Sequence, residues 1–257
     1  MTDGEADGTW RHWTRPPEHV QFAPVRPDAT PQRAAYEAAA LEDTATDLSQ
    51  LSVQELIARL STRAPVPGGG SAAGIAGSLG AALVSMVVEL TLGRPDAAGR
   101  AADLEAIGEE ARRRRDELLD LAQADAAAYD RVVQARRLPK DTEAERAERR
   151  RALDGANREA AEIPFAIART ADSVLDLAVR LAPIGNPNAA SDAGVAAQLA
   201  SAAVRGASLN VRINLPYLPA DDTLRAESPA ELDRLESSAA ERERQVLDVV
   251  LGRIGPS

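Results

Sequence analysis

The 257-residue chain has no cysteine, which excludes a disulfide framework, a thiol nucleophile and any thiolate-held metal. Its two histidines, His12 and His19, and its two tryptophans, Trp10 and Trp13, all lie within the first 22 residues. From residue 23 onward a Ser-His-Asp triad and a histidine zinc site are therefore excluded by inventory. Lysine is almost absent: of 30 basic residues, 29 are arginine and the exception is Lys140. Aromatic residues make up 3% of the chain, a poor supply for a β-sandwich. A formal charge of −10 argues against a nucleic-acid partner, because phosphate binding needs a basic footprint. No basic start leads into an apolar run, so no secretion signal is read, and the expectation is a soluble cytoplasmic protein.

What the chain does have is alanine, roughly a fifth of all residues, a composition suited to closely packed helices. Residues 1–31 carry prolines, glycines and mixed charge without apolar period, and read as an extended tail. The aromatic segment Trp10 to Trp13 with Phe22 admits a docking arm as the alternative. Thr30-Pro31 opens a possible short helix to about Asp43, so residues 1–47 form an N-terminal extension and 48–257 the folded domain. Ser52 and Glu55 make a capping box for a helix through Leu60. After the Pro65–Gly70 breaker, Gly70 to Thr91 reads as one helix of small residues. No charge occurs between Arg63 and Glu89, so a membrane span is weighed. The glycines at 74, 77 and 80 and the lack of flanking aromatics favour a buried central helix instead, with no membrane partner. Long helices are expected from Pro95 to Leu138 and from Glu143 to Leu181, the second containing Pro164. The Leu138–Thr142 turn between them makes an antiparallel hairpin. Further helices are expected from Ser191 to Ile213 and, after the start signal Ser228-Pro229-Ala230-Glu231, to Gly252. No strand pattern survives. The fold class is all-α.

Several positions carry chemistry. Gly68, Gly69, Gly70 and Ser71 lead into a helix whose free N–H groups suit an anion or a polarised carbonyl, although a glycine hinge explains them equally well. No lysine of the P-loop kind follows, and no strand precedes. Lys140 is the one basic side chain here that burial can tune as an acid or base, which arginine cannot match; chance survival of one lysine is the plain alternative. Asp125 and Tyr129 share one face of a helix in an alanine-rich stretch. Asp192 follows Ser191 at a helix start, where both side chains can cap. Asn186 and Asn188 frame the preceding turn, and Asn210 and Asn214 stand near a helix exit.

Five segments stand in one order: Pro65-Val66-Pro67-Gly68-Gly69-Gly70-Ser71, the small-residue helix ending Leu90-Thr91-Leu92-Gly93, Leu138-Pro139-Lys140-Asp141-Thr142, Gly185-Asn186-Pro187-Asn188 with Ser191 to Ala196, and Leu209 to Asn214. Together they resemble the formiminotransferase-cyclodeaminase C-terminal family, which includes stand-alone methenyltetrahydrofolate cyclohydrolases, over about residues 48–252. The resemblance implies a multihelical homodimer, with a long helical hairpin as its dimerisation region, acting on the one-carbon bridge of tetrahydrofolate. It implies a folate derivative as substrate, no bound cofactor and no metal. Under it, Lys140 and Asp192 move protons and Asp125 holds the cationic bridge. Gly68, Gly69, Gly70, Ser71, Tyr129, Asn186, Asn188, Asn210 and Asn214 contact the substrate. Cyclohydrolase is the expected activity, since 257 residues leave no space for a fused formiminotransferase; cyclodeaminase is the alternative. A helical scaffold without activity, or an enzyme turned to another amidine-like substrate, completes the set. The sequence departs from the family at Arg94-Pro95-Asp96-Ala97, where lysines and a tyrosine are usual.

Overall fold

In a computed structural model, residues 47–254 are described. The extended tail, its aromatic segment and the short helix expected to Asp43 lie outside the described residues. The described chain contains six α-helices, with no strand among them: α1 Val53–Leu60, α2 Gly69–Leu92, α3 Ala101–Arg137, α4 Glu143–Leu181, α5 Ala190–Asn214 and α6 Thr223–Ile254.

α1 begins on the expected box, with Ser52 Oγ accepting from the Glu55 amide and the Glu55 carboxylate accepting from the Ser52 amide. A second box, Thr142 with Glu145, starts α4 directly after the turn. Pro95–Arg100 is a 3₁₀ segment, so the long polar helix begins at Ala101 rather than Pro95. The expected start of the last helix is corrected too. Asp222 Oδ1 accepts from the Leu224 amide, and the helix runs from Thr223 straight through Pro229. Ser228, read as a cap, instead donates its hydroxyl to the Leu224 carbonyl. Ser191 and Asp192 cap nothing: no side chain bonds to the first turn of α5.

α2, α3, α4 and α5 form the body, with α6 laid across α4 and α5. The principal core is built almost entirely from alanine, valine, leucine and isoleucine, with Leu104, Ile107, Leu118, Ile167, Leu175 and Leu181 as its largest fully buried members. α2 supplies its glycine face to two antiparallel neighbours. A Cβ at Gly74 would stand 2.9 Å from Ala122 Cβ of α3, and one at Gly80 would stand 2.9 Å from the Ala196 carbonyl oxygen of α5. The close approach read from the sequence is thus made, and it is made against backbone. Gly80→Ala should therefore cost about 1–3 kcal/mol by overpacking, despite the better helix propensity of alanine; the midpoint of urea unfolding measures it.

α2 is long and apolar enough to cross a bilayer, and half of its most apolar window is buried inside the fold. Its other face is not: Leu79, Met86 and Leu90 are exposed, as are Val195, Leu209 and Ile213 of α5. At the opposite corner, α3 and α4 continue together past the start of α2 as a two-helix projection. A small cluster of Val132, Ala135 and Ala156 holds this projection together.

Candidate active site

The N-terminus of α2 has no cap of its own. Gly68 precedes it without a side chain, which leaves the first-turn amides free of intrahelical partners. Asp125, on α3, fills that role from across the helix pair. Its Oδ2 accepts from Ser71 Oγ at 3.1 Å, and the Ser71 amide is directed at the same carboxylate. A carboxylate over a helix N-terminus is stabilised by the partial positive charge there. Gly70 makes the contact possible: a Cβ at this position would stand 2.5 Å from Asp125 Cγ and 2.6 Å from Oδ2. The anion seat expected at Gly68–Ser71 is real in its geometry, but this chain's own carboxylate sits in it.

Asp125 opens onto a cavity of about 330 Å³. Its floor is the stripe Asp125, Tyr129, Val132 and Arg136, spaced four, three and four residues along one face of α3. Gly69 and Gly70 close one side, and Asn210, Ile213 and Asn214 of α5 close another. Asn157 and Ala160 of α4 and Tyr217 complete the wall. The two α5 asparagines are held by backbone: Asn210 Nδ2 donates to the Gly206 carbonyl at 2.8 Å, and Asn214 Nδ2 donates to the Ala160 carbonyl at 2.7 Å. Burial pushes the Asp125 carboxyl above the ordinary carboxylate value, and the two Ser71 hydrogen bonds draw it partly back. The result is a half-desolvated carboxylate with no cationic side chain bonded to it among the described residues. Such a group binds an organic cation or accepts a proton. Among the described residues no three His, Cys, Asp or Glu side chains come together to hold a metal ion.

Of the expected site residues, the structure brings Gly69, Gly70, Ser71, Asp125, Tyr129, Asn210 and Asn214 to this one place, with Gly68 at its edge. The others are elsewhere in the same chain. Lys140 is exposed in the α3–α4 turn, beyond a stretch of helix that rises about 18 Å past Asp125. Asp192 lies in the first turn of α5, about 27 Å of helix rise from Asn210. It is half-buried and makes no hydrogen bond or ion pair among the described residues. Asn186 stands beside that end and spends its groups on protein. Its amide donates to Thr91 Oγ1 at 2.8 Å, its Nδ2 donates to the Leu90 carbonyl, and its Oδ1 accepts from the Asn188 amide. Arg94, from the segment that departs from the family pattern, reaches the same Oδ1 and pairs with Asp96. Sequence reading missed Val132, Arg136, Asn157, Ile213 and Tyr217. The stripe rule extended from Asp125 and Tyr129 would have reached Val132 and Arg136. Asn157 depends on how α4 registers against α3, and Tyr217 on the 3₁₀ turn Leu215–Tyr217 after α5, and neither carries a local signal.

Residues 52–234 match the family model described as formiminotransferase-cyclodeaminase. The chain belongs to this family. It is 37% identical over 203 residues to a methenyltetrahydrofolate cyclohydrolase of Methylorubrum extorquens, covering 79% of this chain and 97% of that protein. It is 33% identical to the formimidoyltransferase-cyclodeaminase of Sus scrofa over 76% of this chain, but spans 36% of that longer protein. A solved structure of formiminotetrahydrofolate cyclodeaminase from Thermotoga maritima superposes with a TM-score of 0.70 at 30% identity, covering 79% of this chain and 98% of the other. The all-α multihelical fold expected from the sequence is the fold of this relative.

Proposed function

We propose that this chain is a methenyltetrahydrofolate cyclohydrolase, acting in the cytoplasm as a homodimer. Residues 48–257 are its catalytic domain and 1–47 an extension. The observation that carries the reading is Asp125: a half-desolvated carboxylate, anchored on a helix N-terminus and facing an open cavity. The bridge carbon of methenyltetrahydrofolate lies in an amidinium cation between N5 and N10. A carboxylate without a competing cation is complementary to that charge and to the proton of an attacking water. Water adds to the bridge carbon, the C–N5 bond breaks, N5 takes a proton, and the formyl group stays on N10. The cyclohydrolase relative, at 37% identity against 30% for the Thermotoga cyclodeaminase, supports this activity over the cyclodeaminase. The cyclodeaminase would use the same cavity, with ammonia as the leaving group, and is tested with formiminotetrahydrofolate.

The dimer accounts for the scattered residues. α2 and α5 present a joined apolar face, Leu79, Met86 and Leu90 beside Val195, Leu209 and Ile213, with a cavity at one end and Asp192 at the other. A two-fold axis across that face lays the Asp192 end of one copy over the Asp125 end of the next, and the projecting hairpin carries Lys140 toward the second copy. Lys140 then protonates N5, a task for which its ammonium is the one lysine available.

The test follows loss of methenyltetrahydrofolate absorbance above its spontaneous hydrolysis. Wild type should accelerate it, and Lys140→Met should lower kcat by about 100-fold or more while remaining folded. Mixing Lys140→Met with Asp125→Asn, each inactive alone, should restore roughly a quarter of wild-type activity if the two residues meet between copies. No restoration, with both variants folded and their subunits exchanged, would remove Lys140 from the site. A wild type that accelerates neither this substrate nor formiminotetrahydrofolate would remove the folate assignment.

A further inference from the structure

We propose that Arg136 binds the glutamate carboxylate of the folate, so that the α3 stripe reads the substrate from its bridge to its tail. This rests on the folate reading above. The stripe has an order of polarity: an anionic group at Asp125, then the aromatic and apolar side chains of Tyr129 and Val132, then a cation at Arg136. Methenyltetrahydrofolate has the complementary order, with a cationic amidinium, a flat p-aminobenzoyl ring and an anionic glutamate. Asp125 and Arg136 are eleven residues apart on one helix, about 16 Å of rise, a span that a long arginine side chain tilted toward the helix N-terminus would shorten. The ring between the two charges of the ligand then lies against Tyr129 and Val132.

The state of Arg136 supports the assignment. Two other arginines of the hairpin are committed: Arg131 is paired to Glu159 through Nε at 2.5 Å, and Arg146 bonds Glu143 and the Asp141 carbonyl. The guanidinium of Arg136 makes no ion pair or hydrogen bond among the described residues; its carbonyl alone is used, accepting from Arg149. It is also the one cation among the residues lining the cavity. A planar guanidinium matches a carboxylate with two parallel hydrogen bonds, which a lysine at the same place could not reproduce. Because Arg136 is exposed at the cavity mouth, glutamates added beyond the first would run outward into solvent.

The experiment compares two substrates: methenyltetrahydrofolate, and the same methenyl compound with a neutral carboxamide on the benzoyl group in place of the glutamate. Wild type should prefer the glutamate-bearing substrate in kcat/KM by about 10- to 100-fold, the worth of one charge-assisted pair. The preference should lie in KM rather than kcat, as for binding equal in ground and transition states. In Arg136→Gln it should collapse to within a few-fold, and Arg136→Lys should recover part of it. An undiminished preference in Arg136→Gln, or an equal loss on both substrates, overturns the assignment of the tail while leaving the cyclohydrolase in place. A wild type inert on both substrates overturns the cyclohydrolase reading itself, and the tail assignment falls with it.

Discussion

Asp125→Asn should lower turnover of methenyltetrahydrofolate by at least about 100-fold, the usual yield of a positioned acid–base or charge-stabilising group, and should at the same time make the protein more resistant to heat at neutral pH. Both effects come from one feature. The carboxylate is kept where solvent reaches it poorly, and burial raises its pKa above the value it has in the unfolded chain. The folded state then binds the proton more tightly than the unfolded state does. Stability from this group is fully present below the ordinary carboxylate pKa and is lost as pH rises through the raised one. Asparagine occupies the same space, can still accept from Ser71 Oγ, and does not titrate. The thermal midpoint of the variant should match that of wild type near about pH 4 and exceed it near about pH 8. Scanning calorimetry at the two pH values reads the difference directly. A gap that closes with rising pH would mean that Ser71 and the α2 N-terminus more than compensate for burial. Asp125 would then be a helix cap first, and its catalytic assignment would lose its physical basis. Gain of stability with loss of turnover is the signature of a group held in an unfavourable environment for chemistry.

The helical elements were legible because their signals are local. The Ser52–Glu55 box, the Pro65–Gly70 break and the small-residue period of α2 each act within a turn or two, and each appears where read. The Ser228-Pro229 signal failed for a local reason as well. A stronger cap lies upstream at Asp222, and the helix carries Pro229 as its seventh residue at the loss of one backbone hydrogen bond, to the Arg225 carbonyl. The site divides along a different line. Asp125 and Tyr129 are four residues apart on one helix, so their shared face is visible in sequence. That Gly70 touches Asp125 follows from α2 and α3 running antiparallel with a particular register, set by Gly74 against Ala122 and by Ser78 Oγ donating to the Arg115 carbonyl. Lys140 and Asp192 belong to motifs as specific as the others, yet neither stands at the cavity of its own chain. Motifs in a fixed order report membership of a family, not distance within one molecule. In the proposed dimer, a second copy is the physical means by which such residues would meet.

Gly70→Ala is the sharpest test of that register. In the folded chain the new methyl group would occupy the space of the Asp125 carboxylate, 2.5 Å from Cγ, where no real Cβ is found. The carboxylate is short and cannot bend away as a long side chain would. It must rotate off Ser71 into the cavity, or α2 and α3 must separate. Rotation costs the less, so the expected loss of stability is about 1–3 kcal/mol, offset in part by the gain of about 1 kcal/mol in helix propensity. Turnover should fall by about 100-fold, because a catalytic group displaced by an ångström or more loses its alignment with the reacting carbon. Gly69→Ala is the matched control. Its Cβ would meet the tip of Asn210 at 3.3 Å, which can give by a few tenths of an ångström, so activity should fall far less. The decisive comparison is the double variant. If Gly70 acts on turnover solely by making room for the carboxylate, then on an Asp125→Ala background Gly70→Ala should have almost no further effect on kcat/KM. The coupling between the two substitutions should then equal nearly the whole effect of the glycine change alone. Additive losses would mean that the backbone at Gly70 meets the substrate independently of Asp125. The first turn of α2 would then serve as a second contact to the folate rather than as the seat of its counter-charge.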